Sequence, residues 1–148
     1  MKVVGDVMNP GVVCTRPDMS LREVERLFTD RRITGAPVVD DDGRPVGVVS
    51  QHDLVASQAD PPSAADSGRF YTDVETYRDI AHAPIDPSDL LVSRVMTPEV
   101  VSVDRETPLA EAARLMRDRR VHRLLVTRQG VLVGIVTSID LLAALDDV

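Results

Sequence analysis

The length, composition and charge of this chain exclude several classes of protein. Its 148 residues are 43% hydrophobic and 28% charged, which is ordinary for a globular domain and too apolar for a wholly disordered chain. The net charge is -7 and the basic residues are scattered among acids, so nucleic acid is not an expected partner. Because the sequence shows neither a signal peptide nor an apolar run of roughly 20 residues, we expect a cytoplasmic protein without a membrane partner.

The first predicted helix begins after Ser20. Ser20 and Glu23 have the spacing of a capping box, in which each residue accepts a hydrogen bond from the backbone of the other. Four apolar residues then recur at helical intervals and form one face, namely Leu21, Val24, Leu27 and Phe28. The pattern predicts an amphipathic helix that follows a short initial strand.

Two strands and a second helix are predicted next. Residues 36–39 and 45–49 are rich in valine, and the turn between them closes at Gly43, which is typical of a hairpin. A short helix over 52–56 completes the unit. The predicted order is therefore strand, helix, strand, strand, helix.

The segment 57–93 is longer than an ordinary connection between elements. Residues 60–68 have the composition of a flexible linker, and residues 83–87 have that of a loop. Between them a helix of about twelve residues is predicted from the spacing of Phe70, Val74, Tyr77 and Ala81. This helix either packs across the rest of the protein, or it forms a lid over a cleft or a dimer contact.

The remaining residues repeat the first unit. Val-Met-x-Pro at residues 7–10 returns at 95–98, and the offset of 88 persists through the predicted helix. That helix has an apolar face of Leu109, Ala112, Ala113, Leu115 and Met116. Thr107 is its expected N-cap, with Pro108 at the first helical position. A hairpin of 124–127 and 131–136 and a helix over 139–145 follow.

The repeat predicts the fold class and the domain boundaries. We expect an α+β protein in which two β-α-β-β-α repeats pack about a pseudo-two-fold axis, because one repeat alone can hardly bury its apolar sheet face. The predicted divisions are a first domain at 5–56, an insert at 57–93 and a second domain at 94–146. Two repeats related in this way create clefts in pairs.

The ends of the two repeats carry a family resemblance. Residues 47–53 and 134–140 both read Gly-apolar-apolar-Ser/Thr-x-x-Asp, which resembles the ending of the cystathionine-β-synthase (CBS) domain. The resemblance implies a flat module that often forms homodimers and whose two clefts bind AMP, ADP, ATP, S-adenosylmethionine or NAD-like ligands. It assigns the ribose hydroxyls to Asp53 in one cleft and Asp140 in the other. Ser50 and Thr137 are then expected near the ribose or the phosphate.

The second repeat also holds His122 and Arg123, in a segment similar to one that contacts ligand phosphates in nucleotide-sensing CBS proteins. The first repeat has Thr34 and Gly35 at the matching positions, so we expect unequal phosphate contacts in the two clefts. Two alternatives stay open. Ser/Thr-x-x-Asp is also an ordinary helix start, and His122 and Arg123 also suit the solvated end of a strand.

Catalytic apparatus is not visible in the sequence. The three histidines are isolated, the Asp-rich turn at 40–43 lacks calcium-ligand spacing, and no phosphate-binding glycine loop occurs, so we expect no metal and no required cofactor. Cys14 lies among valines and suits a buried position better than a nucleophile. An enzyme that uses His122 or Cys14 is the least favoured hypothesis.

The favoured hypothesis is a regulatory module that binds an adenosyl ligand and signals to a partner protein in trans. The alternative is a structural dimerisation or interaction module whose clefts stay empty.

Overall fold

The structure is a computed structural model that describes residues 2–56, 69–72 and 90–147. Several predictions for the insert fall outside the described residues: the linker 60–68, the helix positions Val74, Tyr77 and Ala81, and the loop 83–87. The start of the predicted insert helix is described, as the single helical turn α3, Arg69–Thr72.

The first repeat has the predicted elements after its initial strand. These are α1 at Leu21–Arg31, β1 at Gly35–Val39, β2 at Pro45–Ser50 and α2 at Gln51–Ala56. The capping box of α1 is confirmed, because Glu23 N–H donates to Ser20 Oγ at 3.2 Å and Ser20 N–H donates to Glu23 Oε1 at 3.2 Å. The buried residues of α1 are three of the four predicted: Leu21, Val24 and Phe28.

The second repeat is built in the same order. Its elements, after the short α4 at Val92–Val95, are β3 at Ser102–Asp104, α5 at Leu109–Arg119, β4 at Arg123–Arg128, β5 at Val131–Thr137 and α6 at Ser138–Ala143, with a 3-10 turn at Ala144–Asp147. β3 runs parallel to β4, which pairs antiparallel with β5. In the first repeat β1 and β2 form a two-stranded antiparallel sheet, and the predicted initial strand is reduced to a parallel bridge between Thr15 and Val38.

Both hairpins close at glycine, as predicted. Gly43 has a φ of 80° and Gly130 has a φ of 83°. Residues with a side chain rarely adopt this backbone conformation, which explains glycine at both turns.

The predicted N-cap of α5 is wrong by one residue. Pro108, and not Thr107, is the N-cap, with φ -61° and ψ 146°. Proline fixes φ but leaves ψ free, and Pro108 has the extended ψ that is usual at an N-cap and forms an antiparallel bridge with Val3. Val4 N–H donates to the Thr107 carbonyl at 2.8 Å, so the start of the chain holds the residues before α5.

The two Val-Met-x-Pro motifs are exchanged between the repeats, so that each motif pairs with a strand of the other repeat. Asn9 pairs with Ile135 on β5, and Thr97 pairs in the equivalent way with Val48 on β2. The hydrophobic core follows the same exchange, because Val4 packs in the cluster of the second repeat while Val92 and Val95 pack in the cluster of the first. The described residues therefore form two interlocked repeats about a pseudo-two-fold axis.

Among the helices of the described residues, none combines the length and the apolar character that a membrane span requires.

Candidate functional site

The junction between β5 and α6 is a capping box. Thr137 has an extended backbone and its Oγ1 accepts a hydrogen bond from Asp140 N–H at 3.2 Å. Asp140 Oδ2 accepts in return from Thr137 N–H at 2.9 Å. Both residues are only partly buried. The predicted capping function is confirmed, and the box also fixes the direction of the Asp140 carboxylate.

This capping box borders a cleft of about 250 Å³ between the two repeats. The second repeat contributes Arg123, Ile135, Thr137 and Asp140 to the lining. The first repeat contributes the opposite wall, which consists of Asn9, Gly11, Val12, Val13, Ile33 and Gly35. We call it the Asp140 cleft. Three of the six predicted site residues thus meet in one cleft.

The backbone of the opposite wall offers a donor and an acceptor. Within the described part of the chain, neither the Gly11 carbonyl nor the Val13 N–H has a hydrogen-bond partner. Gly11 is exposed and Val13 is partly buried, so these two backbone groups can bind water or a ligand. Sequence reasoning missed these residues, because only the exchange of the two motifs places the start of the chain beside β5.

Arg123 reaches the Asp140 cleft from the start of β4. Its guanidinium carbon also lies 5.0 Å from the centroid of the Phe70 ring, a cation–π distance. The aromatic face restricts the long side chain, so the positive charge is held near the cleft that Asp140 borders. A guanidinium so held can donate two parallel hydrogen bonds to a phosphate.

His122 lies elsewhere, although it precedes Arg123 directly. Its side chain is exposed and lines a separate depression of about 340 Å³ with Arg117, Arg120 and Ser138. Its backbone N–H donates to the Tyr71 carbonyl at 2.8 Å, and its carbonyl accepts from Ser138 N–H at 2.8 Å. In this arrangement His122 and Arg123 do not face the same cleft.

Ser50 and Asp53 form the matching capping box in the first repeat. Ser50 N–H donates to Asp53 Oδ2 at 2.8 Å, and Asp53 N–H donates to Ser50 Oγ at 3.3 Å. Unlike Thr137 and Asp140, both are buried, with 5% and 4% of their surface exposed. The same local motif therefore stands in an accessible setting in one repeat and in a buried setting in the other.

The environment of Cys14 does not favour a nucleophile. Burial raises the pKa of the Cys14 thiol, which disfavours the reactive thiolate. Among the described residues, no group of three or more His, Cys, Asp and Glu side chains is placed to hold a metal ion.

Comparison with known proteins identifies the family. The family model described as CBS domain matches residues 4–60 and 92–147. The chain is 31% identical over 141 residues to the CBS domain-containing protein CBSX2, chloroplastic, of Arabidopsis thaliana, a match that covers 90% of this chain and 59% of that protein. The chain thus spans less than two thirds of this relative, and 54% of the related chloroplastic CBSX1.

Solved structures agree with this family. The crystal structure of CBSX2 in complex with AMP superposes with a TM-score of 0.72 at 28% identity, covering 99% of this chain and 98% of that chain. The cytosolic domain of the Mg²⁺ channel MgtE in complex with ATP gives a TM-score of 0.69 at 32% identity, covering 97% of this chain and 48% of that chain. From its two matched repeats, this fold and these relatives, the chain belongs to the CBS-domain family.

Proposed function

We propose that the protein is a regulatory sensor that binds an adenine nucleotide or a related adenosyl ligand in the Asp140 cleft. The observation that carries the proposal is the convergence, on one cleft between the repeats, of a fixed carboxylate, a guanidinium and an open backbone donor–acceptor pair.

The ribose is assigned to Asp140. Its Oδ2 is engaged by Thr137 N–H, and within the described residues its Oδ1 has no hydrogen-bond partner. A carboxylate oxygen in this position can accept from both hydroxyls of a cis-diol, in charge-assisted hydrogen bonds that are stronger than neutral ones. The capping and the ligand-binding roles of Asp140 are therefore compatible, because they use different oxygens.

The other residues that line the cleft are assigned to the adenine base and the phosphate. Val12, Ile33 and Ile135 give an apolar surface for a planar ring, and the Val13 N–H and the Gly11 carbonyl can pair with the acceptor and donor on one edge of adenine. Arg123 stands where it can neutralise a phosphate. The AMP complex of CBSX2 and the ATP complex of the MgtE domain support this ligand class.

Signalling requires a state that the ligand can bias, and we propose a homodimer for this. An apolar groove of about 610 Å³ lies between α5 and α6, and the exposed fractions of Ile139, Leu142 and Leu145 are 68%, 59% and 64%. An exposed apolar patch on a small protein supports the presence of an interaction surface here. A ligand that binds one dimer arrangement more tightly shifts the equilibrium, and a partner protein in trans reads the change. In this proposal the protein catalyses no reaction and acts in the cytoplasm, although its plant relative is chloroplastic.

Thermal unfolding with AMP, ADP, ATP, S-adenosylmethionine and NAD tests the proposal. At a hundred times the dissociation constant, a ligand stabilises the native state by about 2.7 kcal/mol, which raises the midpoint of a domain of this size by several degrees. We expect one ligand to give this shift in the wild type and in Asp18→Asn, an exposed control. Asp140→Asn and Arg123→Met should lose most of it, each measured against its own midpoint without ligand.

The absence of a shift with all five ligands, in a protein that unfolds cooperatively, would refute the proposal. It would favour the interaction module with empty clefts, an alternative that the apolar groove between α5 and α6 supports.

A further inference from the structure

The pseudo-two-fold axis predicts a second cleft, which would end at Ser50 and Asp53. Three apolar residues of the Asp140 cleft are Val13, Ile33 and Ile135, and all three are partly buried. The repeat alignment relates them to Val101, Val121 and Val48, whose exposed fractions are 4%, 8% and 0%. These three valines are equivalent to residues that line the Asp140 cleft, but they are buried. Another part of the protein therefore covers them.

The covering group is the aromatic pair of α3. Phe70 and Tyr71 belong to the same buried cluster as Val48, Val101 and Val121, and their own exposed fractions are 4% and 2%. Helix α3 contacts β2 of the first repeat and β4 of the second. The two rings therefore lie where the symmetry places the second cleft.

The Tyr71 hydroxyl binds the backbone pair that the Asp140 cleft leaves open. It donates to the Glu99 carbonyl at 2.8 Å and accepts from Val101 N–H at 3.0 Å. At the offset of 88, Glu99 and Val101 correspond to Gly11 and Val13. One hydroxyl thus supplies both the donor and the acceptor that the edge of an adenine would supply at the equivalent position.

Phe70 lies at a position where the two repeats differ in sequence. It lies against Gly35, whose counterpart in the second repeat is Arg123, and a Cβ on Gly35 would come within 2.8 Å of Phe70 Cδ2. Phe70 also contacts Arg123, whose guanidinium carbon lies 5.0 Å from the centroid of the Phe70 ring. The Tyr71 ring lies edge-on to the Phe70 ring, with 5.1 Å between the two centroids. Glycine at residue 35 therefore leaves the space that the aromatic ring fills.

We infer that Phe70 and Tyr71 are an intramolecular occupant of the cleft at Ser50 and Asp53, and that removing the Tyr71 side chain opens a second site for the same adenosyl ligand. The inference rests on the proposed function for the class of ligand. It makes α3 a competitor for one of two related sites, and it gives the wild-type chain a capacity of one ligand.

Equilibrium dialysis with AMP and, in parallel, with ATP measures this capacity. We expect one ligand per chain for the wild type, two for Tyr71→Ala, and one for Tyr71→Ala combined with either Asp140→Asn or Asp53→Asn. A folded Tyr71→Ala variant that still binds one ligand per chain would overturn the inference and leave the proposed function intact. No binding by the wild type or by any variant would instead refute the proposed function.

A second variant tests the position of Tyr71 without a ligand and without a large cavity. Tyr71→Phe keeps the ring and removes the hydroxyl that accepts from Val101 N–H. Amide hydrogen exchange at Val101, followed by NMR, should become at least tenfold faster than in the wild type and in the exposed control Asp18→Asn. Unchanged exchange at Val101 would show that Tyr71 does not occupy the cleft, whatever the dialysis gives.

Discussion

Asn9 and Ile135 exchange two backbone hydrogen bonds, 2.8 Å from Asn9 N to Ile135 O and 3.0 Å from Ile135 N to Asn9 O, although they lie near opposite ends of the chain. Both residues line the Asp140 cleft. The cleft therefore exists only when the start of the chain is paired with the last strand, which couples ligand binding to the docking of the two repeats.

Gly134→Ala should separate this pair. A Cβ at Gly134 would lie 2.9 Å from the Asn9 carbonyl oxygen and 2.7 Å from Met8 Sδ, and a backbone atom cannot move aside as a side chain can. Overpacking of this kind costs about 1–3 kcal/mol. We expect a lower urea midpoint together with weaker AMP binding. Gly11→Ala is the stability control, because its Cβ would meet Asn9 Oδ1 at an ordinary 3.5 Å. Equal midpoints for the two variants would contradict the argument.

Local sequence patterns predicted the elements because each is determined within a few residues. The apolar face of α1, its Ser20–Glu23 capping box and the glycine turns all depend on neighbours in the chain. The same holds for the Thr137–Asp140 box, whose sequence predicts a cap and also matches the family motif. The predicted N-cap of α5 was wrong by one residue, and the local sequence does not reveal that Pro108 is extended and forms a bridge with the distant Val3.

The unequal environments of Asp53 and Asp140 could not be predicted in this way. Both occur in the same short motif, and the difference arises from which tertiary neighbours cover them. The helical spacing around Phe70 predicted a helix but not its docking place, because a single helical turn can pack on any apolar surface. Tyr71 is proposed as the occupant because its hydroxyl binds the backbone of Glu99 and Val101, the residues equivalent to Gly11 and Val13.

The two capping hydroxyls should differ in their effect on stability. Removing the partly buried cap with Thr137→Ala should cost about 1 kcal/mol, the usual effect at an N-cap. Ser50→Ala leaves the N–H of Asp53 without its acceptor in a buried place, and a buried unpaired donor costs about 1–3 kcal/mol. Urea unfolding gives both values, with the exposed Ser102→Ala as the reference. The prediction fails if Thr137→Ala proves the more damaging change.

The pH dependence of the free energy of unfolding should reveal the raised pKa of the buried Tyr71. Burial, opposed by the hydrogen bond from Val101, raises the pKa of Tyr71 to about 12 from an ordinary value of 10.0. Folding therefore favours the protonated phenol. The stabilisation is complete below pH 10 and is lost as the pH rises from about 10 to 12, and it amounts to about 2–3 kcal/mol at 1.36 kcal/mol per pKa unit.

Urea unfolding between pH 9 and 11.5 checks this expectation. The free energy of unfolding of the wild type should fall more steeply with pH than that of Tyr71→Phe, since groups that titrate in both proteins cancel in the difference. Ser102→Ala removes an exposed hydroxyl that does not titrate in this range, so it serves as the control and should follow the wild type. Parallel curves for the wild type and Tyr71→Phe would show that the folded state does not perturb the phenol.

The apolar face of α6 should decide the oligomeric state. Leu142 is 59% exposed and lines the groove between α5 and α6, so Leu142→Glu should leave the fold of one chain intact while placing a charge in the proposed dimer interface. An unpaired charge buried on association is strongly unfavourable. By light scattering on a sizing column, we expect the wild type to be a dimer. The variant should dissociate into monomers at protein concentrations at least a hundredfold higher than those at which the wild type does.

Ser102→Glu introduces the same charge on the exposed side of β3 and should remain dimeric. A monomeric wild type at 100 μM, or a Leu142→Glu variant that associates as the wild type does, would exclude this face as the dimer contact. If the dimer is confirmed, repeating the measurement with AMP tests the coupling directly. A ligand that binds the two association states equally cannot shift the equilibrium between them, so an AMP-dependent shift requires unequal affinities for those states.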